Sequence, residues 1–380
     1  MDHGRVFSPM MALQGVTPQE LSEACGERCS LQDARRIVAQ VHRDEDPATP
    51  SSGIRRTARD AVVAAGHVPR LDVVDERRSQ VDPFVKYALR TADDQVIETV
   101  RIPLEVAGRF VVCVSSQVGC ALGCTFCATG RMGLTRNLET WEIVEQVRVV
   151  RRGIERSPSG ERARIHGVVF QGMGEPMANL DRVLAAIRVM SDPSAQAIDA
   201  RNITVCTSGL PAGIRRLAAE APKVRLGLSI ASARRDVRRS LMPIDRAHDL
   251  DDVLEAAAEH VALTGLAPMW AVTLLAGVND TVDDANALAD RVLAFRARTG
   301  TNPRLTVIPY NAINDGPEGE LDPFVRVSDG AEDAFRDALR ARSVFTHKRY
   351  SGGGDVGAAC GQLAARPGPA GPVTPDAGAG

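Results

Sequence analysis

The chain has 380 residues, 44% of them hydrophobic, and a formal net charge of −2. That length predicts a catalytic unit of about 250 residues with a smaller companion around a globular core, and the charge excludes a broad cationic coat for nucleic acid. No run of about 18 apolar residues could cross a membrane, and the opening Met-Asp-His-Gly-Arg lacks a secretion signal, so a cytoplasmic location is expected.

Along the chain, Thr17-Pro-Gln-Glu20 reads as a capping box with Pro at the first helical position and predicts a helix from about residue 18. A second helix follows at Leu31 to His42, then a loop over 44–53 rich in Pro, Ser and Thr. Cys25 and Cys29 read as core or surface thiols, with a metal pair as the alternative. Residues 84–89 and 95–102 alternate like hairpin strands. The second carries Glu98, which by itself reads as a solvent-facing strand carboxylate. From residue 108 strand and helix alternate, with strands at 110–116, 165–171, 202–207, 224–230, 269–275 and 304–309. Helices are expected near 139–152, 179–191, 211–220, 250–263, 281–298 and 330–342. Six such β–α units predict a parallel sheet covered by helices. The tail, 364–380, is Pro, Gly and Ala without periodicity and is expected to be disordered.

The motifs fall after the strands. Beyond the first comes Cys120-Ala-Leu-Gly-Cys124-Thr-Phe-Cys127, and soft sulfur ligands select zinc or iron–sulfur centres. Structural zinc takes four protein ligands, and catalytic zinc usually has His or carboxylate among three. Three thiols with no His nearby fit a 4Fe-4S cluster with one iron lacking a protein ligand, although clusters normally use four cysteines. A zinc knuckle borrowing a ligand, or cysteines without metal, remain alternatives. Lacking a secretory signal, the eight cysteines are expected to be reduced. After the second strand comes Gly172-Met-Gly174-Glu175-Pro176, whose glycines let the backbone approach a ligand and whose Glu can accept from an ammonium; a plain tight turn is the alternative. The third strand ends Cys206-Thr-Ser-Gly209, the fourth Leu228-Ser229-Ile230-Ala231-Ser232 and the sixth Ile308-Pro-Tyr-Asn311. Cys360 follows a Gly-rich run at 351–354, in a loop that could close over the strand ends.

Together with Cys113-Val-Ser-Ser-Gln-Val-Gly-Cys120, Cys127-Ala-Thr-Gly and Ala358-Ala-Cys360-Gly-Gln-Leu363, these motifs resemble the RlmN/Cfr family of radical-SAM RNA adenosine methyltransferases, in matching order from about Glu98 to Leu363. The resemblance implies an α/β fold, an incomplete (β/α)6 radical-SAM barrel with a small N-terminal helical domain. The expected division is 1–95 as accessory helical unit and start of the hairpin, 96–363 as methyltransferase core and 364–380 as tail.

The resemblance further implies that Cys120, Cys124 and Cys127 ligate one 4Fe-4S cluster whose open iron chelates S-adenosylmethionine (SAM). Gly174, Glu175, Cys206, Ser229, Ile230, Ala231 and Asn311 fall at cofactor-contacting positions. Two SAM are implied per turnover. The first methylates Cys360; the second is cleaved reductively to a 5′-deoxyadenosyl radical that takes a hydrogen from that methyl group. The thiomethylene radical then adds to an adenine carbon, Glu98 takes a proton, and Cys113 releases the product by forming a transient disulfide with Cys360. This route suits an electrophilic amidine carbon, which SAM's own electrophilic methyl does not. Implied partners are an RNA, most plausibly large-subunit (23S) ribosomal RNA, an electron donor such as flavodoxin or ferredoxin, and a cellular thiol reductant. Carbon 2 and carbon 8 both remain open as targets. The sequence departs from the family at Cys206 (usually Ser), Ala231 (usually His) and Gly357, within a common Asp-Ile-Asp-Ala-Ala pattern. The same machinery on another substrate, or a non-catalytic cluster-containing RNA-binding protein, are the competing readings.

Overall fold

The computed structural model describes residues 10–155, 163–313, 322–348 and 352–364. Near the N-terminus, strand β1 (Met11–Ala12) pairs in parallel with β2 (Gly66–His67), and helices α1 (Pro18–Cys25), α2 (Leu31–His42) and α3 (Arg56–Ala65) lie between them. Thr17 and Ser30 both close reciprocal capping boxes, the first with Glu20 as expected and the second with Asp33, which satisfies the first orphan amides of α1 and α2. Leu13, Leu21, Ile37, Val38 and Val62 form a core of their own here, and Cys25 and Cys29 are buried members of it.

The remaining strands build one ten-stranded sheet and a small hairpin. An antiparallel run comprises β3 (Asp72–Arg78), β4 (Val85–Arg90), β5 (Val96–Pro103) and β6 (Arg109–Val114). The hairpin β7 (Gln117–Cys120) and β8 (Gly133–Asn137) encloses the short helix α4 (Ala128–Arg131). Then come α5 (Thr140–Glu155), β9 (Arg164–Phe170), α6 (Leu180–Ser191), β10 (Ile203–Thr207), α7 (Pro211–Glu220), β11 (Arg225–Ser229) and α8 (Arg235–Leu241). The chain continues through α9 (Leu250–Thr264), β12 (Met269–Leu274), α10 (Val282–Thr299), β13 (Arg304–Pro309), α11 (Asp329–Ala341) and β14 (Thr346–Lys348). Sheet order is β14-β13-β12-β11-β10-β9-β6-β5-β4-β3, parallel from β6 to β14.

The six expected β–α units are therefore present, starting at β6, β9, β10, β11, β12 and β13. β3 and β14 stay as edges, so the barrel is open. The central parallel strands bury both faces, as in Leu226, Gly227 and Leu228, which is what helix-covered parallel strands require. Trp270, fully buried on β12, meets Phe295 of α10 edge-on with ring centroids 5.1 Å apart.

The expected cut at 95/96, which leaves the start of the hairpin in the first unit, falls between β4 and β5, whose register runs from Val85↔Arg101 to Arg90↔Val96. β3, polar and half exposed as an edge strand, carries no apolar alternation to announce it. In the expected tail, Ala364 is anchored, its N–H donating to Glu98 Oε2 at 3.0 Å; residues 365–380 lie outside the described residues. Arg148 of α5 ties the N-terminal helices to the barrel by donating to Val41 O at 2.7 Å and to Asp44 Oδ1 at 2.6 Å. No helix among the described residues is long and apolar enough to cross a membrane.

Candidate active site

A cavity opens at the C-terminal ends of the parallel strands, where such barrels place their chemistry. Its wall includes Cys120, Cys124, Cys127, Gly174, Glu175, Cys206, Ser229, Ala231 and Cys360. Cys120 ends β7, and the chain then turns so that Cys127 stands just before α4 at its N-cap. Gly130 on α4 packs against the loop, since a Cβ there would lie 2.7 Å from Cys124 O. Burial pushes the Cys120 thiol up to about 11 and Cys124 up to about 12, reinforced by the neighbouring thiols and Glu175. Cys127 is raised too, by burial first. Buried thiols that resist ionisation become thiolates beside a strong positive centre, so the donor set fits a metal group. Among the described residues no three His, Cys, Asp or Glu side chains gather tightly enough for a single ion.

Glu175 is buried opposite. Its Oε1 accepts from Met177 N–H at 3.0 Å, its Oε2 from Ser208 N–H at 2.9 Å, and its own N–H donates to Gln117 Oε1 at 2.8 Å. Burial raises its pKa, and the backbone donors pull the other way. A carboxylate has about four lone-pair sites, so these two bonds and a third from the Thr207 side chain leave one toward the cavity. Gly174 has φ +94°, and a Cβ there would stand 2.5 Å from Gln117 Cβ; only glycine carries the chain through.

Cys206 lines the cavity at the end of β10, and Gly227 on the adjacent strand makes room for its sulfur, since a Cβ there would lie 2.6 Å from Sγ. Ala231 adopts φ +57°, and its carbonyl accepts from Asn279 Nδ2 at 2.7 Å. Ile230 is not a lining residue: its side chain is core, and its carbonyl is taken by Arg238 at 2.6 Å. Asn311 is not one either; its Nδ2 donates to Cys360 O at 3.3 Å, so it holds the loop that bears the thiol.

That loop is tied down at several points. Ala128 N–H donates to Gly361 O at 2.8 Å, Thr129 Oγ1 to Leu363 O at 2.6 Å, and Gln362 Nε2 to Ala312 O at 2.9 Å. Cys360 thereby borders two cavities, the one with the three thiols and a second one it shares with Cys113, Phe84, Ile102 and Gln171. Cys113, on β6, has its carbonyl fixed by Thr99 Oγ1 at 2.7 Å.

Glu98 overturns the solvent-facing reading. It is 1% exposed, Lys86 Nζ lies 3.1 Å from Oε1, and the segment after Cys360 covers Oε2. It lines neither cavity. Sequence reasoning also missed Arg238, fully buried on α8. It donates to Ser208 O at 2.9 Å, Ser229 O at 3.1 Å and Asp245 Oδ1 at 2.9 Å. Arg234, Arg235 and Arg239 surround it in sequence, and only packing distinguishes the one that turns inward.

Three thiols after the first parallel strand, facing a Gly-Glu loop after the second at the mouth of an open barrel, are the layout of a radical-SAM enzyme, and residues 114–266 match the Radical SAM superfamily. A "Probable RNA methyltransferase" of Sorangium cellulosum is 59% identical, over 92% of this chain and 91% of that one. A "Dual-specificity RNA methyltransferase RlmN" of Syntrophobacter fumaroxidans is 41% identical, over 91% and 95%. The crystal structure of a radical SAM methyltransferase from Sphaerobacter thermophilus superposes with a TM-score of 0.80 at 35% identity, covering 94% of this chain and all of that one. The chain belongs to the RlmN-type family of radical-SAM RNA methyltransferases, a membership that implies a 4Fe-4S cluster and SAM.

Proposed function

We propose that this enzyme methylates an adenine carbon, carbon 2 or carbon 8, in large-subunit (23S) ribosomal RNA through a methylated Cys360 that Cys113 resolves. The observation that carries the reading is the position of Cys360, one thiol bordering both the three-thiol cavity and the cavity of Cys113. Cys120, Cys124 and Cys127 would hold the cluster, and the Gly174–Glu175, Cys206, Ser229 and Ala231 wall would hold SAM. When bound, that pair supplies a one-electron route to an organic radical.

The chain's own residues do the rest. Cys360 carries the one-carbon unit, and the hydrogen bonds from Ala128, Thr129 and Asn311 fix its loop. Glu98 accepts the proton leaving the adenine. Cys113 attacks the Cys360 sulfur, so the bond to the transferred carbon breaks as the disulfide forms. Two SAM are consumed per turnover, an electron donor of the flavodoxin or ferredoxin kind feeds the cluster, and a cellular thiol regenerates the pair in the cytoplasm.

Mass spectrometry of the anaerobically reconstituted protein, with its iron content and a digest of methylated RNA, tests this. About four irons per chain, a Cys360 peptide heavier by one methyl group, and a carbon-methylated adenine are expected. Zinc in place of iron, with Cys360 unmodified after SAM and a reductant, would overturn it.

A further inference from the structure

Glu98 is buried inside the sheet, where a charged side chain is kept only with a partner, and that partner is Lys86. Its Nζ stands 3.1 Å from Glu98 Oε1, and the two side chains are 9% and 1% exposed. They are diagonal neighbours on one face of adjacent strands, since Lys86 lies opposite Val100 and Glu98 opposite Ala88. Among the described residues Glu98 has no other ion-pair partner. Arg77, across from Lys86 on β3, is engaged with Asp75 at 2.7 Å.

The two carboxylate oxygens are held differently. Oε1 meets a charged group inside a sheet, whereas among the described residues Oε2 accepts only the neutral N–H of Ala364, four residues beyond Cys360. Lys86 also touches the turn leading into Cys360, since a Cβ on Gly357 would lie 3.2 Å from its Nζ.

We infer that Lys86 is the positioning residue of the base: it fixes the Glu98 side chain through Oε1 and leaves Oε2, the oxygen now covered by Ala364, to take the proton from the adenine. The carbon–hydrogen bond breaks with its electron pair left on the ring, and the new O–H bond forms at Oε2. The covering N–H must withdraw for this. The inference rests on the proposed role of Glu98.

Single-turnover assays on reconstituted enzyme compare wild type, Lys86→Met, Lys86→Arg, Glu98→Gln and the Lys86→Met/Glu98→Gln pair. They read methyl on Cys360, RNA held covalently on denaturing gels, and methyladenine released. The Cys360 methyl precedes any demand on Glu98 and reports folding and cofactor loading. Lys86→Met is expected to slow product release about 10²–10⁴-fold, as a lost general base does, with Cys360 still methylated. The pair should be no slower than Glu98→Gln, and Lys86→Arg should recover most of the loss. A Lys86→Met rate within about threefold of wild type beside a slow Glu98→Gln would overturn the inference, and so would losses that multiply in the pair. If Lys86→Met carries no methyl on Cys360, the same comparison is read from Lys86→Gln. An unmethylated wild-type Cys360, or a Glu98→Gln variant as fast as wild type, would instead sink the underlying reading of the site and this inference with it.

Discussion

Replacing Arg238 by Met removes the guanidinium on which two strand ends converge. Met fills similar space, so the cost comes from stranded polar groups rather than a cavity. Asp245, 1% exposed, loses a partner at 2.9 Å, and breaking a buried ion pair from one side costs about 3–5 kcal/mol. Arg239 Nε, 3.7 Å from Asp245 Oδ2 but half exposed, offsets part of this, placing the ion-pair loss near the lower figure. The carbonyls of Ser208, Ser229 and Ile230 each lose a donor at about 1 kcal/mol apiece. Ser208 and Ser229 border the cavity and can be rehydrated there. About 3–5 kcal/mol results, set against a total stability of about 5–15 kcal/mol. Urea unfolding followed by far-UV circular dichroism measures it. Adding Asp245→Leu removes the stranded charge and should restore roughly half of the loss. An Arg238→Met variant within about 1 kcal/mol of wild type, or a double variant no more stable than the single one, would refute the reasoning.

Cys113→Ser should leave RNA covalently attached to Cys360, visible as a slow band on denaturing gels, because serine cannot form the releasing disulfide; normal release would remove Cys113 from the mechanism. Gly174→Ala forces a side chain onto φ +94° and against Gln117, a strain of about 1–3 kcal/mol borne by the loop with Glu175. SAM affinity in calorimetry should drop about tenfold or more with the fold retained, and unchanged affinity would show that this loop does not hold SAM. His42 and His260 are driven by burial down to about 3 and about 4, below their unfolded value of about 6.5. The unfolded chain therefore binds protons first, and stability present above pH 6.5 is lost as pH falls toward 4, by about 1.4 kcal/mol per pH unit for each. Melting midpoints should hold from pH 7.5 to about 6.5 and drop increasingly below that, and a profile flat down to about pH 5 would contradict the burial of both rings.

Six of the seven parallel strands were legible because each is a short apolar run bounded by turn residues, and β13 falls at 304–309 as expected; the three-residue edge strand β14 was not. The cluster loop was legible because spacing along the chain is itself the signal. Two features were not. β7 and β8 pair across the cluster motif itself, with Cys120 opposite Gly133, and neither strand has the length or alternation that sequence periodicity detects. Glu98 looked solvent-facing because β5 alternates, yet both faces of this sheet are covered here, so a polar residue in the pattern marks a buried partner rather than water. Lys86 is that partner, unremarkable in sequence until the hairpin register brings it diagonal to Glu98.

The departures at Cys206 and Ala231 look alarming in sequence, yet the backbone around them accommodates both residues. Sulfur is bulkier than a hydroxyl, and Gly227 supplies the space on the neighbouring strand. Ala231 sits at φ +57°, a conformation that costs a non-glycine residue about 1 kcal/mol or more, and Asn279 holds it there through the Ala231 carbonyl and the Thr273 carbonyl at 2.8 Å. A strained turn fixed by a buried amide implies that the backbone path after β11 is what this wall requires, whatever side chain it bears. Ser229 O and Ile230 O are likewise pinned by Arg238. The pocket can therefore exchange an imidazole for a methyl group without losing its shape, because its shape comes from a hydrogen-bonded backbone rather than from the side chains that sequence comparison weighs.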